Sequence, residues 1–98
     1  MAKTVVFDFD GVIHSYKSGW KGHSVIPDPP VPGVKELIDE LRSDDYRVVV
    51  VSTRCEDLAG IDAVSRWLAA HNIEVDDVTD RKPPAICYID DRAIRFDG

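Results

Sequence analysis

The chain has 98 residues, 44% hydrophobic and 31% charged, with a formal net charge of -6. That length supports one domain with a real core and excludes two. The acidic balance argues against general attraction to nucleic acid or an anionic membrane, and no apolar run is long enough to span a bilayer, nor does the N-terminus read as a signal peptide.

Val5-Val6-Phe7-Asp8-Phe9-Asp10-Gly11-Val12-Ile13 opens the chain as a buried parallel strand and the turn after it. Asp8 and Asp10 stand at i and i+2, so an extended backbone would send both carboxylates the same way, at the carboxyl edge where open α/β sheets keep their ligands. Asp is depleted in strands, and here it directly follows an apolar run. Gly11 then permits a turn that a residue with a Cβ resists.

Residues 14–32 form a long loop with four prolines, Gly19 and Gly22, and no helical period. Loops of this length in small domains are usually functional flaps or disordered segments. Two readings stand side by side: a flap over the site, with Trp20 and Lys21 as candidate substrate contacts, or a surface loop in which Trp20 packs on the body. His14 and His23 could reach substrate, although a lone loop histidine is more often solvated.

A helix is predicted from Val34 to Ser43, opened by Pro32-Gly33, with Val34, Leu37, Ile38 and Leu41 on its apolar face. Tyr46 to Val51 reads as a strand covered on both faces, ending in Ser52-Thr53-Arg54. A second helix is predicted from Leu58 to His71, with Ile61, Val64, Trp67 and Leu68 towards the sheet. Ile73 to Val78 suggests a short third strand, interrupted by Asp76-Asp77. The paired prolines Pro83-Pro84 exclude helix from the loop holding Lys82. Ala85 to Ile89 is a further apolar strand, ending in Asp90-Asp91, and Ala93 to Phe96 a short edge strand. Cys55 and Cys87 lack zinc-ligand spacing and read as free thiols of a reducing cytoplasm, Cys87 buried in a strand.

Polar groups therefore close three strands: Asp8 and Asp10, Ser52 to Arg54, and Asp90 with Asp91. In a parallel sheet these ends share one edge and can meet in one crevice. Hard carboxylates without a histidine or cysteine cluster favour magnesium. Lysine, arginine and hydroxyl donors suit a phosphoryl group. A carboxylate beside such a group can act as nucleophile, and a second can move the proton.

On these residues the chain resembles the haloacid dehalogenase superfamily in its magnesium-dependent phosphatase branch. The family's D-x-D-x-[TV] motif matches Asp8-Phe9-Asp10-Gly11-Val12. Its hydrophobic strand ending in Ser or Thr matches Val48 to Ser52, its lysine matches Lys82, and its terminal acidic pair matches Ile89-Asp90-Asp91. The four motifs run in order over nearly the whole chain. The resemblance implies an α/β fold, a three-layer Rossmann-like sandwich around a mostly parallel sheet, as one domain over residues 1–98. It implies Asp8 as nucleophile and Asp10 as general acid/base. Magnesium would be held by Asp8, by the backbone carbonyl of Asp10, and by Asp90 and Asp91, one directly and one through water. The phosphoryl group would be bound by Ser52, or Thr53 if the strand runs one residue longer, and by Lys82. Arg54 matches a Ser/Thr-x-Arg variant of some nucleotide and polynucleotide phosphatases of the family and is a candidate substrate clamp.

Neither gap between motifs has room for the cap domain usual in the family. An open site of that kind suits large phosphorylated substrates such as protein or nucleic-acid ends, or a nucleotide, while the net charge counts against a long polynucleotide. Nothing in the sequence assigns an oligomeric state. The rival reading is a phospho-accepting signalling module with little turnover. Receiver domains carry their acidic pair after the first strand, however, whereas here Asp8-x-Asp10 comes first and the pair last.

Overall fold

The structure is a computed structural model that describes residues 3–90 and the backbone of residues 94–96. Among the described residues five strands form one sheet: β1 (Thr4–Asp8), β2 (Arg47–Val51), β3 (Asp77–Thr79), β4 (Cys87–Ile89) and β5 (Ile94–Phe96). Their order is β3-β2-β1-β4-β5. The first four run parallel and β5 pairs antiparallel to β4. The fold is α/β and Rossmann-like, with no cap in the described residues, as the sequence led us to expect.

Two helices, α1 (Val34–Ser43) and α2 (Leu58–Ala70), connect the first three strands. Strand alternation sends Val5, Phe7, Val48 and Val50 to the face where Val34 and Ile38 of α1 and Val64, Trp67 and Leu68 of α2 pack. Both helices thus cover one face. Val6, Val49 and Val51 face the other way, against Ala85 and Tyr88. The chain must cross β2 and β1 to pass from β3 to β4, and Ala85 on that face marks its path. Among the described residues, what packs on that face comes from the connection into β4 and from Tyr88 of β4 itself, not from a helix.

Boundaries depart from the sequence expectation where side chains take over backbone partners. β3 begins at Asp77, not Ile73. The Asp76 carboxylate accepts the Val48 N–H at 2.7 Å and the Arg42 guanidinium, while the Asp76 N–H donates to the Val48 carbonyl, so the ladder starts only there. Burial works to raise the Asp76 pKa, but the Val48 N–H and Arg42 outweigh it and the net shift is downward. On α1 the apolar stripe is narrower than predicted: Leu37 is exposed and lines a shallow cleft with Phe7, Val12 and Ile89. Ala93, the first residue of the predicted edge strand, lies outside the described residues.

A short 3-10 turn (Thr53–Glu56), which the sequence did not announce, joins β2 to α2. Asp57 caps α2 by accepting the Gly60 N–H at 2.9 Å. Gly60 is buried, and a Cβ there would fall on the Arg54 backbone carbonyl. Glycine to alanine inside a helix ordinarily stabilises by about 1 kcal/mol. At Gly60 the sign should reverse: Gly60→Ala is expected to lower Tm, with an overpacking cost of roughly 1–3 kcal/mol. A thermal melt checks it, and an unchanged or raised Tm would mean that the 3-10 turn yields freely.

Candidate active site

Parallel pairing brings the polar strand ends to one edge. β1 pairs with β2 as far as Asp8↔Val51, and with β4 through Val6↔Tyr88 and Phe7↔Ile89. Carried one residue further, the register sets Asp8 beside Asp90. Alternation turns both to the face of Val6 and Tyr88. Ser52 follows directly on β2, so three adjacent strands close with Ser52, Asp8 and Asp90. Asp91 lies outside the described residues.

Beyond Asp8 the chain leaves the extended path that the i, i+2 argument assumed. The Phe9 carbonyl accepts the N–H groups of Val12, Ile13 and His14, closing a single helical turn. Gly11 sits in it at φ 83°, with its N–H on the His14 carbonyl. The turn carries Asp10 off the strand and towards residues 44 positions later.

Arg54 is 1% exposed, and its fork meets the Asp10 carboxylate through Nε at 2.9 Å and Nη2 at 3.1 Å. Nη1 donates to the carbonyls of Gly22, His23 and Val25 at 2.8, 3.1 and 3.1 Å. The Trp20 ring covers the guanidinium, 4.6 Å from Cζ to its centroid. The sequence offers Arg54 as a candidate phosphate or substrate clamp; the structure instead gives Nε, Nη1 and Nη2 partners within the chain. Its nitrogens are committed inside the protein, where they tie the 14–32 loop to Asp10.

The loop is held at a second place. His14 is fully buried, boxed by the rings of Phe9, Tyr16 and Trp67. Its Nε2 accepts the Asp28 backbone N–H at 3.1 Å, and Nδ1 lies 2.9 Å from Asp10 Oδ1. Asp28 in turn accepts the Ser18 hydroxyl at 2.6 Å and its N–H at 2.8 Å, which hold its pKa below the ordinary carboxylate value. The Trp67 indole N–H donates to the Asp28 carbonyl. The loop is thus fastened along much of its length rather than hinged. Trp20 remains about half exposed, beyond Arg54, and Lys21 is exposed. Both readings of Trp20 hold in part, since it packs on Arg54 and still offers surface.

Ser52 is buried, and its Oγ accepts the Arg54 N–H at 3.1 Å, leaving the hydroxyl proton free to donate elsewhere. Thr53 is exposed at the start of the 3-10 turn. Lys82 is exposed, its ammonium 5.9 Å from the centre of the Tyr88 ring. That ring shares the face from which Asp8 and Asp90 leave. Cys55 and Cys87 are free and buried; burial pushes the Cys55 thiol up to about 11 and raises that of Cys87, so both stay protonated near neutrality.

Among the described residues no group of three or more His, Cys, Asp or Glu side chains is arranged to hold a metal. Magnesium asks for less: one or two carboxylates, with water and substrate oxygens completing its shell. Asp8 and Asp90, set side by side by the strand register, are carboxylates of that hard-oxygen kind. Zinc would want the nitrogen or sulfur ligands that this edge lacks in its described residues.

Sequence reasoning missed Asp28 and the burial of His14. The available signals were the i, i+4 spacing of Asp10 and His14 and an acid set among prolines. Neither is specific alone.

No family model matches the chain, and no curated protein does. A solved structure of a conserved protein from Bacteroides thetaiotaomicron resembles it with a TM-score of 0.69 and 25% identity, over 95% of this chain and 78% of the other. That likeness supports the α/β fold. No helix among the described residues is long and apolar enough to cross a membrane.

Proposed function

We propose that the protein is a magnesium-dependent phosphomonoester hydrolase that works through an aspartyl phosphate on Asp8. The observation that carries this reading is the register at the carboxyl edge. Asp8, Ser52 and Asp90 close three neighbouring parallel strands, with the Asp10 carboxylate clamped just beyond. In this reading Asp8 and Asp90 hold the metal together with the Asp10 carbonyl. When bound, magnesium supplies positive charge to the phosphoryl oxygens.

The side chains carry the rest. Asp8 attacks phosphorus as the ester P–O bond breaks, and Asp10 gives its proton to the departing alkoxide. Asp10 then takes a proton from water, which attacks the aspartyl phosphate, frees phosphate and restores Asp8. The Ser52 hydroxyl donates to a phosphoryl oxygen, and Lys82 offsets charge from the Tyr88 face. The substrate class is a phosphorylated molecule admitted by a capless site, a nucleotide or a polynucleotide end among them. The two buried free thiols suit a reducing compartment, the cytoplasm.

A test is phosphate release from an aryl phosphate, with magnesium and with excess chelator. Asp10→Asn should retain phosphate binding and lose about 100-fold or more in turnover, the usual worth of acid–base catalysis. A nearly normal rate would remove Asp10 from the mechanism. If beryllofluoride binds at Asp8 but no phosphate is released from any ester, the phospho-accepting module is favoured instead.

A further inference from the structure

The Asp10 carboxylate has about four lone-pair sites. Three are taken: Oδ1 receives Arg54 Nη2 and His14 Nδ1, and Oδ2 receives Arg54 Nε. One remains, on Oδ2. The Asp10 side chain is 23% exposed, so the carboxylate is not sealed from solvent. The two oxygens are made unequal by His14.

What fixes His14 is a backbone group. The Asp28 N–H can only donate, so Nε2 must be the bare nitrogen and Nδ1 must carry the proton. The Asp28 carboxylate is 3.6 Å from Nε2, too far to hold a proton there by a hydrogen bond. Phe9 stacks on the ring at 5.6 Å, and Tyr16 and Trp67 meet it edge-on. The imidazole can neither flip nor turn without losing these contacts. Charged groups facing it are Asp10 on its own turn and Asp28 from the far end of the loop.

We propose that His14 is a positioning residue. It is locked as the Nδ1–H tautomer by Asp28 and saturates Asp10 Oδ1, so that Oδ2 alone exchanges the proton with the leaving group and with water. This rests on the phosphatase reading and adds to it a residue outside the motifs, with a stated atom for the proton.

The experiment compares kcat/KM for two phosphate monoesters in the wild type, His14→Phe and His14→Asn. kcat/KM reports the first irreversible step, formation of the aspartyl phosphate. A nitrophenyl phosphate needs little protonation of its leaving group, whereas a simple alkyl phosphate needs the acid fully. His14→Phe keeps an aromatic ring but no donor. It should lose roughly 10- to 100-fold on the alkyl ester, part of the usual acid–base factor, and under about 3-fold on the nitrophenyl ester. His14→Asn keeps a donor near the Nδ1 position and should recover most of the alkyl rate. Equal losses on both esters would overturn the proposal and leave His14 a packing residue.

A second readout needs neither a variant nor turnover. Nitrogen-15 shifts of the His14 ring in the wild type should report Nδ1–H with a bare Nε2, and the opposite tautomer would overturn the proposal even if His14→Phe fails to fold. A wild type that releases phosphate from neither ester with magnesium would overturn the phosphatase reading and this role with it. Selective failure in the variant comparison strikes this role alone.

Discussion

On the proposed mechanism Asp8→Asn should abolish phosphate release, by about 10⁴-fold or more, since removing a nucleophile costs far more than removing a binding group. The exchange is nearly isosteric. The Asn side-chain oxygen can still accept the Phe9 N–H that Asp8 Oδ1 accepts at 3.0 Å, so the end of β1 should survive. An amide, however, is a poor nucleophile and brings no negative charge to a cation, so both the covalent step and magnesium affinity should suffer. The measurement is phosphate release over a magnesium titration, beside a thermal melt. An Asp8→Asn protein that still turns over would shift the nucleophile to water and remove the aspartyl phosphate.

The contrast between what the sequence displayed and what it hid follows from where each signal lives. Val48 to Val51 is β-branched and continuous, and such a run has few homes other than a strand covered on both faces. The span of α1 is legible because its capping glycine and apolar repeat lie within a few residues of one another. Asp8 and Asp90 are legible for the same reason, since each is an acid at the end of an apolar strand and parallel pairing does the rest. Arg54 is the opposite case. Its partners are 29 to 44 residues away and mostly backbone carbonyls, which no side-chain pattern announces. His14 looked like a solvated loop histidine because its aromatic box is assembled from Phe9, Tyr16 and the distant Trp67. The short β3 was misjudged because Asp76 takes the Val48 N–H that an earlier start of the ladder would have used.

The second large effect is on stability, and it separates two roles for one residue. Arg54→Met keeps most of the buried stem but removes every donor. Asp10 would lose both arms of its fork, and the carbonyls of Gly22, His23 and Val25 would lose the cation they share. Breaking one partner out of a buried ion pair typically costs about 3–5 kcal/mol, because the other charge is left uncompensated. For a domain near this size that amounts to a fall in Tm on the order of 15 °C or more. Arg54→Lys should rescue little, since a single ammonium cannot reach both carboxylate oxygens and the carbonyls at once. Adding Asp10→Asn to Arg54→Met should cost much less than the sum of the two single changes, because the penalty in Arg54→Met is largely that of a stranded Asp10 charge. Were Arg54 instead a clamp on substrate phosphate, the outcome would invert. Tm would hold, KM would rise, and the double change would be additive. Melts of the wild type, the two single variants and the double variant distinguish the two, and they need no substrate.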